Sequence, residues 1–256
     1  MTTFAMTDTH CHLTFPPLGE NLSPVLERAA AAGVTRIIVP AYDPESWPAV
    51  ESLAAAHPDT VHPAYGLHPW QAHQPLDLDH LANLLRHPAT IAVGEIGLDG
   101  KVESPTVAEQ LPVLEQQLAL AHDLDLPVIL HCRGAFDELL AVLGRFTPHL
   151  RGVVHAWSRS PELARRFLKL GLHLGMGGAV TRPNARQVHE VVRTVPLESL
   201  LLETDAPAIG LHGVDPIATE PRHVRDVAQA MADLRGDTLD HVAERTTAAA
   251  ARLFGI

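Results

Sequence analysis

Short apolar runs alternate with longer segments of helical periodicity along the whole chain. Most of the short runs are nearly continuously apolar, as is typical of parallel strands that are buried on both faces. We predict eight strands, at residues 4–12, 34–40, 61–66, 90–95, 128–131, 153–155, 172–176 and 200–203. The first of these runs ends in two histidines, and several others end in a histidine or a carboxylate.

The intervals between these runs carry the spacing of amphipathic helices. The first helix begins at Ser23-Pro24, an N-cap residue followed by a proline, and ends at Gly33. Pro112 either kinks a long helix or marks its beginning. We place the remaining helices at 49–56, 78–86, 107–124, 135–146, 161–170, 184–194, 221–234 and 239–254.

Eight strand-then-helix units in 256 residues predict a closed (β/α)8 TIM barrel, a single domain of class α/β over residues 1–256. An open doubly wound sheet is the competing architecture, but no glycine-rich phosphate loop follows the first strand. The sequence contains no linker or low-complexity tract that would separate a second domain.

Composition restricts the classes of partner. The formal net charge of −11 is poorly suited to a protein that tracks a long nucleic-acid backbone. It is compatible with a small anionic substrate held at a metal ion, because a bound cation inverts the local field. Cys11 and Cys132 have no paired spacing, and no signal or membrane-spanning run opens the chain, so we expect a cytoplasmic protein.

His10 and His12 lie two residues apart at the end of the first apolar run. Side chains on a strand alternate between faces, so both imidazoles point the same way and can bind one divalent ion. An HxH pattern alone is weak evidence in a chain with 17 histidines. The prediction gains strength because other candidate ligands also follow strand-like runs, where barrels place their active sites. These ligands are Glu95, His131, His155 and Asp205.

Four histidines and two carboxylates exceed the needs of one tetrahedral ion and suit two ions that share a bridging carboxylate. We assign His10, His12 and Asp205 to one ion and His131 and His155 to the other. Glu95 would bridge the two ions. Asp205 also stands beside the activated water as its proton acceptor, so Glu95 and Asp205 are the candidate catalytic residues. These ligand types do not distinguish Zn, Mn, Mg and Ni.

The chain resembles the TatD family of metal-dependent hydrolases, within the amidohydrolase-like barrels. The matching segments are DTHCHL at 8–13, GLHP at 66–69, VGEIGLD at 93–99, LPVILHCR at 126–133, GVVH at 152–155 and LLETDAP at 201–207. The segment at 175–181 and the loop at 208–221 are most similar to the YjjV-like branch. The resemblance implies a (β/α)8 barrel, a divalent metal centre and, as in named members, exonuclease action on DNA from the 3′ end.

Three short segments depart from the family pattern without removing a ligand. Trp157-Ser158-Arg159 replaces the usual Phe-Ser-Gly, and Thr219-Glu220 stands where an Asn commonly precedes Pro221. Gly100-Lys101 follows Asp99 where a bulky aromatic residue is frequent. Because all three lie in loops near the predicted mouth, they bear on specificity and leave hydrolysis unaffected.

Several other residues have two interpretations each. His68 either contacts a substrate phosphate or stabilises a tight turn, and Arg133 is our preferred phosphate contact. Asp8 either orients His10 or is a polar group satisfied inside the mouth. The roles of Arg159, Arg182, Lys101 and Trp157 stay open, although Trp157 could stack on a base.

We therefore predict a metal-dependent phosphodiesterase, a deoxyribonuclease of the 3′-exonuclease type, in which a metal-bound hydroxide attacks phosphorus. The predicted partner is DNA or a small phosphoester at the barrel mouth, with no membrane and no obligate protein partner; the protein would be a monomer. A first alternative is hydrolysis of an acyl ester or amide, as in an aminoacyl-tRNA deacylase or a lactonase, because the same hydroxide can attack a carbonyl. A second is a non-catalytic metal-binding scaffold.

Overall fold

The alternation of strands and helices predicted from the sequence is present in a computed structural model, which describes residues 5–256. The strands are β1 (Met6–Asp8), β2 (Val34–Pro40), β3 (Val61–Tyr65), β4 (Ala92–Asp99), β5 (Val128–Arg133), β6 (Gly152–Val154), β7 (Leu172–Met176) and β8 (Leu200–Leu202). They form one parallel sheet in sequence order.

A helix follows each strand on the outside of this sheet, and a final helix is added at the end. The helices are α1 (Leu22–Ala31), α2 (Trp47–Ala56), α3 (Leu78–Leu85), α4 (Val107–Asp123), α5 (Phe136–Leu143), α6 (Pro161–Leu168), α7 (Arg186–Thr194), α8 (Val224–Arg235) and α9 (Leu239–Phe254). No helix within residues 5–256 is long and apolar enough to cross a lipid bilayer.

The barrel closes through residues that follow the first and last strands. The N–H of Thr9 donates to the carbonyl of Leu202 at 2.9 Å, and the N–H of Asp205 donates to the carbonyl of His10 at 2.8 Å. This seam joins β1 to β8 and completes the ring. The prediction of a (β/α)8 barrel is confirmed, and the open doubly wound sheet is excluded.

The predicted and observed strands differ most at β1 and β4, while β3, β5, β6 and β8 differ by one or two residues at their ends. β1 ends at Asp8, so His10 and His12 lie in the extended segment beyond it, while residue 4 is outside the described part of the chain. β4 does not end at Glu95 but continues to Asp99, with a shift of register against β5 between Val93 and Ile96. Such an irregularity adds a residue to one strand and changes the direction of a side chain. The run of hydrophobic residues did not indicate this irregularity.

Among the helices, α1 begins before its predicted N-cap Ser23, whereas α4 begins at residue 107 as predicted. α1 begins at Leu22, after a short 3-10 turn at Gly19–Asn21, so Ser23 lies inside the helix. α4 begins at Val107 with a capping box at Thr106, and Pro112 lies within the helix. A capping box satisfies two backbone N–H groups of the first turn, and this local signal outweighs the proline as a start.

Apolar side chains of the strands form the core on both faces of the barrel wall. One set packs against the surrounding helices, which bury the apolar side of each amphipathic pattern. Another set, which includes Ile38, Ile129 and Leu201, packs against Leu253 and Phe254 at the end of α9. The alanine-rich last helix therefore contributes to the barrel core, and the opposite rim of the barrel is left for polar groups.

Candidate metal centre

All six residues that the sequence nominated as ligands converge at the carboxyl-terminal rim of the barrel. His10 and His12 follow β1, His155 follows β6 and Asp205 follows β8, while Glu95 and His131 belong to β4 and β5. Each of the six is buried. Segments far apart in the sequence reach one mouth because parallel strands of a barrel share one carboxyl-terminal end.

The first group consists of His10, His12 and Asp205. The Nε2 atoms of the two histidines lie 3.2 Å apart. Oδ1 of Asp205 is 3.7 Å from Nε2 of His10 and 3.4 Å from Nε2 of His12. The two imidazoles point in the same direction, as the alternation of side chains predicts for an extended segment.

Glu95 lies between this group and a second group of histidines. Its Oε2 atom is 3.2 Å from Nε2 of His10. Its Oε1 atom is 2.7 Å from Nε2 of His155 and 2.9 Å from Nδ1 of His131. The two oxygens of one carboxylate therefore face two different sets of imidazole nitrogens, which is the arrangement of a bridging ligand.

His68 belongs to this second group. Its Nε2 atom lies 3.4 Å from Oε1 of Glu95, and its Nδ1 atom accepts the backbone N–H of Trp70 at 3.2 Å. The side chain therefore makes the turn contact that one interpretation predicts and also faces Glu95. With Glu95 and His131 it forms a cluster able to hold a metal ion.

The chemistry of this donor set fits divalent cations. The nitrogens of His68, His131 and His155 all lie within 3.4 Å of Oε1 of Glu95. Oδ1 of Asp205 is buried without a hydrogen-bond partner. Such crowding of buried lone pairs is costly unless a cation satisfies them. Imidazole and carboxylate together suit Zn, Mn, Mg and Ni.

The charges in the centre shift the pKa values of its groups in opposite directions. Burial alone would raise the pKa of Glu95, but the neighbouring histidines hold it well below its usual range. Burial acts to lower the pKa of His155, whereas Glu95 and Asp205 raise it to about 10. Burial, with the charge of His155, lowers the pKa of His10 to about 4. In the metal-free protein at neutral pH, Glu95 is therefore ionised, His155 is protonated and His10 is neutral.

The irregular pairing of β4 with β5 determines the position of Glu95 in the cluster. Gly97 has φ of +149°, and a Cβ atom at this position would lie 2.0 Å from the carbonyl oxygen of His131. Only glycine allows this close approach of two strands. The two glycines that flank Glu95 in the sequence, Gly94 and Gly97, were the signal for this local geometry.

Asp99 is a candidate functional residue that was not assigned a role from the sequence. Its Oδ2 atom lies 3.1 Å from Nε2 of His131 and accepts the indole N–H of Trp70 at 2.7 Å. Burial opposes ionisation, but these contacts lower the pKa of Asp99 to about 2. As a carboxylate it orients His131 so that Nδ1 faces Glu95. The signal was its position four residues after Glu95, on the same face of β4.

Arg133 lies at the rim, outside the buried cluster. Its guanidinium is 3.4 Å from Oδ2 of Asp99, and half of the side chain is exposed to solvent. This location is compatible with the predicted phosphate contact. Arg159 and Arg133 both line the cavity that opens above the cluster, and Lys101 is exposed to solvent. Arg182 donates to the carbonyl of Gly210.

Two glutamines of α4 contact the backbone of the site, and their roles were also missed. Gln110 accepts the N–H of Asp99 at 2.7 Å and donates to the carbonyl of the same residue at 3.0 Å. Gln117 accepts the N–H of Leu67 at 2.7 Å and donates to its carbonyl at 3.2 Å. Each side-chain amide thus pairs with both the N–H and the carbonyl of a backbone residue next to the cluster.

Asp8 and Glu203 support the seam of the barrel. Asp8 accepts the backbone N–H groups of His10 and Thr204 and the hydroxyl of Thr204, and makes no contact with the ring of His10. Asp8 is therefore a polar group with its hydrogen bonds satisfied, and it joins the segments that follow β1 and β8. Glu203 accepts the N–H of Ala156, the residue after His155, and burial raises the pKa of its carboxyl to about 8.

A cavity of about 330 Å³ opens above the cluster. Three aromatic side chains, Phe15, Tyr42 and Trp70, line it together with the histidines. Trp157 does not reach the space of this cavity as a stacking surface, because it is buried against Phe167 and its indole N–H donates to the carbonyl of Arg159.

The chain is similar to known proteins over nearly its whole length. Residues 7–255 match the family model described as TatD related DNase. The metal-dependent hydrolase YjjV of Escherichia coli K12, described as uncharacterized, is 42% identical over 241 residues, which cover 93% of each chain. A protein of Erwinia amylovora named 3′-5′ ssDNA/RNA exonuclease TatD is 30% identical over 262 residues, which cover 98% of this chain and 100% of that protein.

A solved structure extends the likeness to three dimensions. The crystal structure of YjjV, a TatD homologue from Escherichia coli K12, superposes with a TM-score of 0.93 at 39% identity. The alignment covers 98% of both chains. The chain is therefore similar to YjjV both in sequence and in fold over nearly its full length.

Proposed function

The chain belongs to the TatD family of metal-dependent hydrolases, and from this membership we propose that it hydrolyses phosphodiester bonds at the 3′ end of single-stranded nucleic acid. The family relationship supplies the reaction class, and the name of the Erwinia relative suggests the bond and the polarity. The observation that carries the proposal is the position of Glu95, whose two oxygens face separate groups of histidines.

We assign two divalent ions to this centre. His10, His12 and Asp205 would hold one ion, His131 and His155 the other, and Glu95 would bridge them. When bound, such ions would supply the chemistry of water activation and of charge stabilisation at the phosphoryl group. Zn, Mn, Mg and Ni are the candidates, since the ligand types suit several divalent metals.

The chain's own residues supply proton transfer and orientation. Asp205 has a lowered pKa: burial acts to raise it, but the nearby histidines, of which His12 is nearest at 3.4 Å, lower it by more. It is therefore ionised at neutral pH and can accept a proton at the mouth of the cavity. Arg133 at the rim suits the oxygens of a phosphate. His68, next to Glu95, would act on the same phosphoryl group.

The test is release of nucleotides from 3′-labelled single-stranded DNA and RNA, with Mg, Mn, Zn and Ni supplied separately. We expect products one nucleotide long, and a loss of about 10³-fold or more in rate for Glu95→Gln. Glu51→Gln, a change of an exposed carboxylate on α2, should retain the wild-type rate.

Two results would contradict the proposal. A near-wild-type rate for Glu95→Gln would show that Glu95 is not required for catalysis. A wild-type protein inert towards DNA and RNA with every metal, yet active on acyl esters, would assign the centre to the other bond type.

A further inference from the structure

The cavity above the metal centre has an aromatic wall formed by Phe15, Tyr42 and Trp70. Resting on the proposed function, we infer that this aromatic wall binds the terminal base of a nucleic-acid substrate. Such a site would hold the planar, apolar part of the substrate, while the proposed metal centre would act on the phosphate.

The rings stand directly beside the candidate ligands. Phe15 stacks on His12 with ring centroids 4.9 Å apart and planes 12° from parallel. Tyr42 stacks on His68 at 4.9 Å and 29°. Trp70 meets Tyr42 edge to face at 6.5 Å. A base that contacts these rings is therefore held within one nucleotide of the centre.

The wall is open to solvent and held in place. Trp70 is 38% exposed, and its indole N–H is anchored by Asp99 at 2.7 Å. The hydroxyl of Tyr42 accepts the side-chain N–H of Gln71 at 3.0 Å. Rings that are fixed before a ligand arrives lose little conformational entropy on binding, which favours their use as a stacking surface.

Two arginines also line the cavity, contributed by β5 and by the segment after β6. The aromatic wall comes from the loops after β1, β2 and β3, whereas Arg133 ends β5 and Arg159 follows β6. The guanidinium of Arg133 borders the aromatic wall, because it lies 3.4 Å from the same oxygen of Asp99 that accepts the indole N–H of Trp70 at 2.7 Å. The guanidinium of Arg159 lies 5.2 Å from the ring centre of Phe136, and Arg159 lines the cavity.

This division of the cavity matches the parts of a nucleotide. Bases of every kind present a π-face and stack on aromatic side chains with little dependence on sequence. Phosphate oxygens pair with guanidinium groups. An aliphatic ester or a small phosphoester without an aromatic ring would have no group to stack on the aromatic wall. The arrangement therefore favours a nucleotide unit of DNA or RNA.

The experiment compares two oligonucleotides that differ only at the 3′ end, one with thymidine and one with an abasic tetrahydrofuran residue. We expect wild-type kcat/KM to be about tenfold lower for the abasic end, the size of one base-stacking contact. Trp70→Phe and Trp70→Leu both lose the N–H to Asp99, but only Trp70→Leu loses the ring. The preference for thymidine should persist in Trp70→Phe and disappear in Trp70→Leu, with equal rates of the two variants on the abasic substrate.

Two further variants complete the comparison. Tyr42→Leu should reduce the preference as Trp70→Leu does. Ile217→Ala, a change at an exposed apolar side chain that lies outside this cavity, should leave it unchanged. Equal wild-type rates on both substrates, or equal preferences in the two Trp70 variants, would overturn the inference while leaving the proposed function intact.

A binding measurement tests the base site independently of the proposed nuclease activity. Fluorescence anisotropy of labelled trinucleotides with the Glu95→Gln protein should give about tenfold tighter binding for the thymidine end. This preference in a protein whose wild-type form hydrolyses neither substrate would support the base site and refute the nuclease activity. Equal affinities for both trinucleotides would refute the base site.

Discussion

His155 is a buried imidazole surrounded by carboxylates. Oε1 of Glu95 lies 2.7 Å from its Nε2 atom, and Oδ2 of Asp205 lies 4.0 Å from its Nδ1 atom. Burial favours the neutral ring, but these charges raise its pKa to about 10. In the metal-free protein at neutral pH the ring is therefore protonated, and Nε2 must lose a proton before it can bind an ion.

We predict that metal uptake releases protons and strengthens with pH. Each proton displaced changes the apparent affinity by about tenfold per pH unit, so affinity should rise between pH 6 and pH 8. Calorimetry in buffers of different ionisation enthalpy measures the number of protons. Glu95→Gln removes the main charge that raises the pKa of His155 and should release fewer. Uptake without proton release at pH 7 would contradict this account.

The same shift has a consequence for the metal-free fold. The pKa of His155 is raised from 6.5 in the unfolded chain to about 10 in the folded one. Its protonation therefore stabilises the folded state fully below about pH 6.5, and this contribution is lost as the pH rises through about 10.

At the scale of elements, α4 connects the outer layer to the site. Gln110 and Gln117 lie two helical turns apart and are both buried. Their amides pair with the backbone of Asp99 and of Leu67, which precedes His68. The end of β4 and the loop after β3 thus depend on a helix that contributes no group to the candidate centre.

Replacing Gln117 by Leu should destabilise the protein by about 2–4 kcal/mol, because the N–H and carbonyl of Leu67 would be buried without partners. Denaturant titration measures the change in the free energy of unfolding. Gln116→Leu, an exposed neighbour on the same helix, is the matched control and should change it by less than about 0.5 kcal/mol. Equal effects of the two variants would show that the buried amide is not required.

For the molecule as a whole, the candidate centre ties together distant parts of the barrel. Its residues come from β4 and β5 and from the segments after β1, β6 and β8, including both sides of the closing seam. A ligand bound by the folded state alone stabilises that state by mass action. Metal binding here should therefore stabilise the complete ring of strands.

We predict that adding the cognate metal to the metal-free protein raises its melting temperature. At about 1,000 times Kd the stabilisation is about 4 kcal/mol, which corresponds to a shift of about 10 °C for a chain of this size. Scanning calorimetry with and without a chelator measures it. Glu51→Gln should show the full shift and Glu95→Gln a smaller one. No shift with any of Mg, Mn, Zn and Ni would argue against a centre that joins the strands.

Local patterns in the sequence were enough to predict the architecture and the grouping of the six nominated residues. The bounds of β2, β7 and α9 agree with prediction, because continuous apolar runs and amphipathic periodicity depend on neighbours in the chain. The rule that barrel strands end at one mouth then brings His10, His131 and Asp205 together. No knowledge of individual contacts was needed for that step.

Tertiary structure alone decided the finer features of the site. The irregular register at Glu95, the contact of Asp99 with His131 and the support from Gln117 depend on which residues meet across strands and between layers. The aromatic wall likewise combines single residues from three separate loops. Periodicity reports the environment of each residue along the chain, whereas such contacts arise between residues whose separation in sequence carries no periodic signal, so they are determined only when the barrel closes.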